Sequence, residues 1–124
     1  IGVMPDAGAT AFLAERIGLT RATQLAMLGE RLPADRALSW GLVNAVHPAD
    51  ELEQAARELA DRLAAGPTVA LAGMKRALTA AAQRSLAEHL ELEAALQQRN
   101  GPTHDYAEGR TAFMAKRPAR FLGR

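Results

Sequence analysis

No cysteine occurs among the 124 residues. Disulfides, thiolate nucleophiles and cysteine-based zinc sites are thereby excluded, and a reducing cytoplasm suits the chain. Aromatic residues amount to only 4%, so the apolar quota falls on alanine and leucine, both good helix formers. Neither sign of charge dominates: 15 basic residues stand against 14 acidic ones, a net charge of +1. Such a balance creates no field that would recruit nucleic acid or a membrane surface. No apolar run approaches the roughly 20 residues of a transmembrane helix, and no basic-then-apolar start suggests a secretory signal. The three histidines, His47, His89 and His104, lack metal-ligand spacing and read as structural or exposed, so no metal is expected. There is no Gly-x-Ser-x-Gly elbow for a serine hydrolase. Gly8 with Thr10 makes no phosphate loop, because no lysine follows.

What is present points to one globular domain with a modest core, since hydrophobic residues make up 48%. Ile1 to Pro5 reads as a strand end entering a turn at Pro5-Asp6-Ala7-Gly8-Ala9. A chain that begins inside an element looks cut. Helices are expected from about Thr10 to Ile17, stopped by Gly18, and from Arg21 to Leu28, capped by Thr20 and ended by Gly29. A short helix over 34–40 closes at Gly41. Leu42-Val43-Asn44-Ala45-Val46 reads as a strand, with Pro48 ending it.

Beyond that point the pattern is helical. Asp50 and Glu53 have capping spacing, and Leu52, Ala55, Ala56, Leu59 and Leu63 form a stripe. Gly66-Pro67 separates this helix from one carrying Val69, Met74, Ala77, Leu78 and Ala81. Ser85 with Glu88 forms a second capping box, opening a helix to about Arg99. Thr103 caps a last helix to about Lys116, and Pro118 forbids much continuation. Glu88, Glu91 and Glu93 read as helix surface, and Trp40 as core. The chain is thus mainly α with one or two short strands. A lone strand cannot form a stable sheet, a second sign that a piece is missing.

Three stretches in order resemble the enoyl-CoA hydratase/isomerase (crotonase) superfamily. They are Ile1-Gly2-Val3-Met4-Pro5-Asp6-Ala7-Gly8-Ala9-Thr10 with Leu13 and Arg16-Ile17-Gly18; Leu28-Gly29-Glu30-Arg31-Leu32 with Ala37 and Trp40-Gly41-Leu42-Val43-Asn44; and Glu108-Gly109-Arg110-Thr111-Ala112-Phe113-Met114-Ala115-Lys116-Arg117-Pro118-Ala119-Arg120-Phe121. The resemblance implies the C-terminal portion of the α/β crotonase (ClpP/crotonase) spiral of ββα turns. Residues 1–48 would end the ββα core, and 49–124 would form the helical C-terminal oligomerisation region of a trimer or dimer of trimers. It also implies that the oxyanion hole and the two hydratase glutamates lie upstream.

Asp6 is the sharpest catalytic candidate, on a loop between a strand end and a helix start. Hydratases of this family tend to carry glycine here, whereas several isomerase-type relatives carry a catalytic aspartate. A thioester acidifies its α-carbon, and a single carboxylate can remove a proton and return it to another carbon. Such a base works best with a pKa raised by burial. The plain alternative is that Asp6 shapes the turn or caps the following helix. Pro5 and Gly8 would line the thioester in a tight turn, or Gly8 is an ordinary loop glycine. Phe113 and Lys116, three apart on a helix, share a face. By resemblance they contact the CoA nucleotide, ring on adenine and ammonium on phosphate. Otherwise Phe113 is core and Lys116 a solvated charge. Arg117, Arg120 and Arg124 read as a solvated basic tail.

The implied activity is an isomerase moving a double bond in an enoyl-CoA thioester through an enolate, with a hydratase as alternative. No cofactor is expected, CoA being part of the substrate. A non-catalytic helical oligomerisation or CoA-binding module is the competing reading from another class.

Overall fold

The computed structural model describes residues 2–124. Among them lie seven α-helices: α1 Ala9–Ile17, α2 Leu19–Leu28, α3 Ala34–Ser39, α4 Leu52–Ala64, α5 Thr68–Ala80, α6 Leu86–Asn100 and α7 His104–Met114. A 3-10 turn, Ala81–Gln83, follows α5. The chain divides into two compact units, one up to Glu53 and the other Gln54–Arg124.

In the first unit α1 packs against α2. Gly18 ends α1, its N–H donating to the Ala14 carbonyl, and is also the N-cap of α2. The expected Thr20 cap is therefore not formed; Thr20 falls inside the first turn of α2, which starts at Leu19. The small core of this unit includes Ile17, Ala22 and Ala37.

The expected strand over 42–46 is absent, and no strand occurs among the described residues. The backbone there has local work instead. The N–H of Gly41 donates to the Leu38 carbonyl and that of Leu42 to the Ala37 carbonyl, 3.0 and 2.9 Å. These two bonds, with Gly41 at φ 75°, close α3 as a Schellman motif. Without a neighbouring strand the apolar run has no ladder to join. Gly2 to Pro5 is likewise irregular, and the start of that expected strand, Ile1, lies outside the described residues. Trp40 is not core either. It is half-buried, with the guanidinium of Arg21 at 5.1 Å and that of Arg36 at 5.5 Å from its ring centroid.

In the second unit α5 packs on α6. Gly73 of α5 faces Leu96 of α6 there, where a Cβ would make an ordinary contact at 3.9 Å. The Ser85 hydroxyl accepts the Glu88 N–H while the Glu88 carboxylate accepts the Ser85 N–H, completing the expected capping box. Thr103 caps α7 by accepting the Tyr106 N–H. Many large apolar side chains stay exposed on these helices, among them Leu78, Leu90, Phe113 and Met114. Among the described residues no helix is long and apolar enough to cross a membrane.

Candidate functional site

Two places carry chemistry, one in each unit. The first is the turn before α1. The Asp6 carbonyl accepts the Ala9 N–H at 2.9 Å, and the Gly8 carbonyl accepts the Phe12 N–H at 3.0 Å. Between them Ala7 and Gly8 both have positive φ, 52° and 83°. Gly8 is required twice over: its backbone is left-handed, and a Cβ there would sit 2.8 Å from the Phe12 ring. The Asp6 side chain does not cap α1, which has no side-chain cap. It is exposed and has no hydrogen-bond or ion-pair partner among the described residues.

The second place is α7 with the segment that follows it. Sequence periodicity extends the helix to Lys116, but it ends at Met114. Lys116 has φ 51°. Its N–H donates to the Phe113 carbonyl and that of Arg117 to the Ala112 carbonyl, both at 3.1 Å. This is the same Schellman closure that ends α3, with lysine where α3 uses glycine. Phe113 and Lys116 therefore do not share a helix face. A left-handed backbone on a residue with a Cβ costs on the order of 1 kcal/mol, so something nearby must hold it.

That hold comes from two carboxylates one turn apart on α7. Glu108 accepts both guanidinium N–H groups of Arg117, at 2.7 and 2.9 Å, and the backbone N–H of Arg120 at 2.9 Å. Asp105, only 4% exposed, accepts the N–H groups of Leu122 and Gly123 at 2.7 and 2.8 Å. Its own N–H donates to the Arg124 carbonyl at 3.0 Å. Residues 117–124 are thus a strap stitched along α7 rather than a free tail; Arg117, Arg120 and Arg124 are exposed, as expected, while Arg117 also pairs with Glu108. The strap lays the Phe121 ring over Gly109, where a Cβ would be 3.6 Å away, and Gly123 against Thr68 of α5. Sequence reading missed both carboxylates. The Glu108 and Arg117 of the family cassette were a usable signal; Asp105 gave none.

The Arg117 guanidinium and the Arg120 N–H hold the Glu108 carboxyl at about 2, well below its ordinary 4.5. Burial pushes Asp105 up, but the N–H groups of Leu122 and Gly123, with His104 beside it, leave its pKa lowered on balance. A lowered carboxyl pKa contributes stability that is complete above the unfolded value and is lost as pH falls through the folded one. The strap is therefore expected to hold unchanged from neutral pH down to its ordinary 4.5 and to loosen between 4.5 and about 2. Amide exchange at Arg120, whose N–H the Glu108 carboxylate accepts, followed across that range checks this; loosening already above pH 5 would contradict it.

Between α5, α6, α7 and the strap runs a groove of about 440 Å³, lined by Pro67, Val69, Met74, Tyr106, Phe113 and Phe121 among others. Arg110 stands at 5.7 Å over the Tyr106 ring. Phe113 is 81% exposed, so it is not the core residue of the alternative reading. Among the described residues no cluster could hold a metal ion.

The helical arrangement is that of the C-terminal portion of a crotonase-fold protein. It superposes on an enoyl-CoA hydratase from Bacillus anthracis with a TM-score of 0.91 at 33% identity, covering 99% of this chain and 48% of that one. The sequence profile of the enoyl-CoA hydratase/isomerase family matches residues 1–124, and the chain belongs to that family. It is 39% identical to a 1,2-epoxyphenylacetyl-CoA isomerase of Escherichia coli K12, over all of this chain and 47% of that protein. It is 35% identical to a 2,3-dehydroadipyl-CoA hydratase of the same organism, over all of this chain and 49% of that protein. The chain spans about half the length of the curated relatives it matches.

Proposed function

We propose that the complete protein is an enoyl-CoA isomerase that moves a double bond along an acyl thioester, with Asp6 as the acid/base. The observation that carries this reading is the Asp6 carboxylate, exposed and unpartnered among the described residues, in a turn directly before α1. The similarity to a 1,2-epoxyphenylacetyl-CoA isomerase supports an isomerase acting on a CoA thioester. The carboxylate takes a proton from the acidified carbon, an oxyanion hole outside this chain holds the enolate, and the same carboxyl returns the proton further along. Pro5 and Gly8 line the thioester beside it. Phe113 and Lys116 meet the adenine and phosphates of CoA, for which the exposed Phe113 ring and the adjoining groove are suited.

No cofactor is needed, because every step is a proton transfer on the CoA thioester itself. The exposed apolar side chains of α5 to α7 support assembly into trimers through the C-terminal helices. The cytoplasm, where CoA thioesters of fatty acid metabolism are handled, suits a chain without cysteine.

The similarity to a 2,3-dehydroadipyl-CoA hydratase favours a second reading, addition of water to the double bond. Mass spectrometry of the product from a 3-enoyl-CoA and from a 2-enoyl-CoA separates the two. Isomerisation leaves the mass unchanged, and hydration adds one water. The isomerase reading expects an unchanged mass with a shifted double bond; a product heavier by one water, with no isomer, would replace it by the hydratase.

A further inference from the structure

The most unusual backbone position in the second unit is Lys116, and the best-tied segment is the strap directly after it. These two facts belong together. Lysine at the left-handed position of a Schellman motif is disfavoured, since its Cβ crowds the following carbonyl. The conformation persists only when the surroundings over-determine it. Here the next residue, Arg117, is pinned by a bidentate pair with Glu108. Glu108 also takes the N–H of Arg120. Asp105 then takes two further N–H groups, from Leu122 and Gly123.

A lysine presents its charge as a point at the end of a flexible stem. Where that charge can reach therefore depends on where its backbone is fixed. The same stitching sets Phe121 against Gly109 on one wall of the groove that also carries Phe113. Glu108 ties the start of the strap beside Lys116, and Asp105 ties the part that follows Phe121.

We infer that Glu108, seconded by Asp105, is a positioning residue that holds Lys116 and Phe121 where the nucleotide end of a CoA thioester docks. The inference rests on the reading in which Phe113 and Lys116 contact the nucleotide. Glu108 itself does not touch the ligand: both its oxygens are taken by Arg117 and Arg120. Its low pKa, about 2, keeps it ionised at any physiological pH, so the buckle is a fixed support.

The test compares butyryl-CoA with butyryl-pantetheine, which lacks the nucleotide, by calorimetry on the complete protein. Glu108→Gln is expected to raise the dissociation constant for butyryl-CoA about tenfold, the scale of one lost charge-assisted contact, and to leave that for butyryl-pantetheine unchanged. The exchange E108R/R117E, which rebuilds the pair in reverse, is expected to recover most of the affinity for butyryl-CoA. A purely structural role would weaken both ligands alike, and that result overturns the inference. So does Glu108→Gln binding butyryl-CoA as the wild type does while Lys116→Ala binds it more weakly, in which case the nucleotide reading survives without the positioning role. Lys116→Ala and Phe113→Ala both binding butyryl-CoA normally would remove that reading and the inference with it. Should Glu108→Gln fail to fold, the exchange variant decides alone: selective recovery supports the positioning role, and none overturns it.

Discussion

Replacing Asp6 by asparagine in the complete protein is expected to slow isomerisation by a factor of about 10²–10⁴, the usual worth of a general acid/base. The amide has nearly the same shape but cannot accept a proton from the α-carbon and give it back elsewhere. Thioester affinity is expected to stay close to wild type, because the change alters the proton carrier and not the binding surface. The comparison is unusually clean at this position. The Asp6 side chain caps nothing and is exposed, so stability should move by no more than about 0.5 kcal/mol. Single-turnover rates and a thermal melt of the same sample separate chemistry from folding. An Asp6→Asn protein that turns over at the wild-type rate would move the acid/base role to residues outside this chain.

Ala112→Leu carries the largest expected effect on the fold. Ala112 is 1% exposed, with less free surface than any other residue in the core. It sits on α7 midway between the buckle at Glu108 and the turn at Lys116, and its carbonyl accepts the Arg117 N–H that closes the helix. A leucine there adds three carbons where no space is open and must displace its neighbours, at a typical cost of about 1–3 kcal/mol. The denaturant midpoint should fall with the slope unchanged, and the Schellman closure should loosen with it. An unshifted midpoint would show that the packing around α7 yields freely.

Much of the fold was legible because most of its signals are local. Ser85 and Glu88 sit three apart and cap each other, as their spacing predicts. Thr103 caps α7, and Gly18 and Gly29 end α1 and α2 where the pattern stops. The misses share a cause. Leu42 to Val46 has strand composition, but a strand exists only through a partner. With none among the described residues, the N–H groups of Gly41 and Leu42 serve α3. Lys116 looked helical because a repeat of 3.6 residues cannot reveal a left-handed residue that is not glycine. Asp105 looked like an ordinary first-turn acid, since its partners lie 17 and 18 residues further on. The resemblance singled out Asp6, Phe113 and Lys116 as candidates. It gave no hint that Lys116 stands beyond the helix, or that the glutamate of the same cassette bears on it.

The buckle also has a clock. Its bonds join residues 9, 12, 17 and 18 positions apart. Going from the shortest of these loops to one twice as long adds only about 0.6 kcal/mol of closure entropy. A ten-residue loop closes in about 10–100 ns, whereas an enzyme commonly turns over in about a tenth of a second. A strap that slips open therefore re-closes in a small fraction of one catalytic cycle. A thioester bound as we propose would meet the time-averaged position of Lys116, because each opening of the strap is too brief to be a step that paces the cycle.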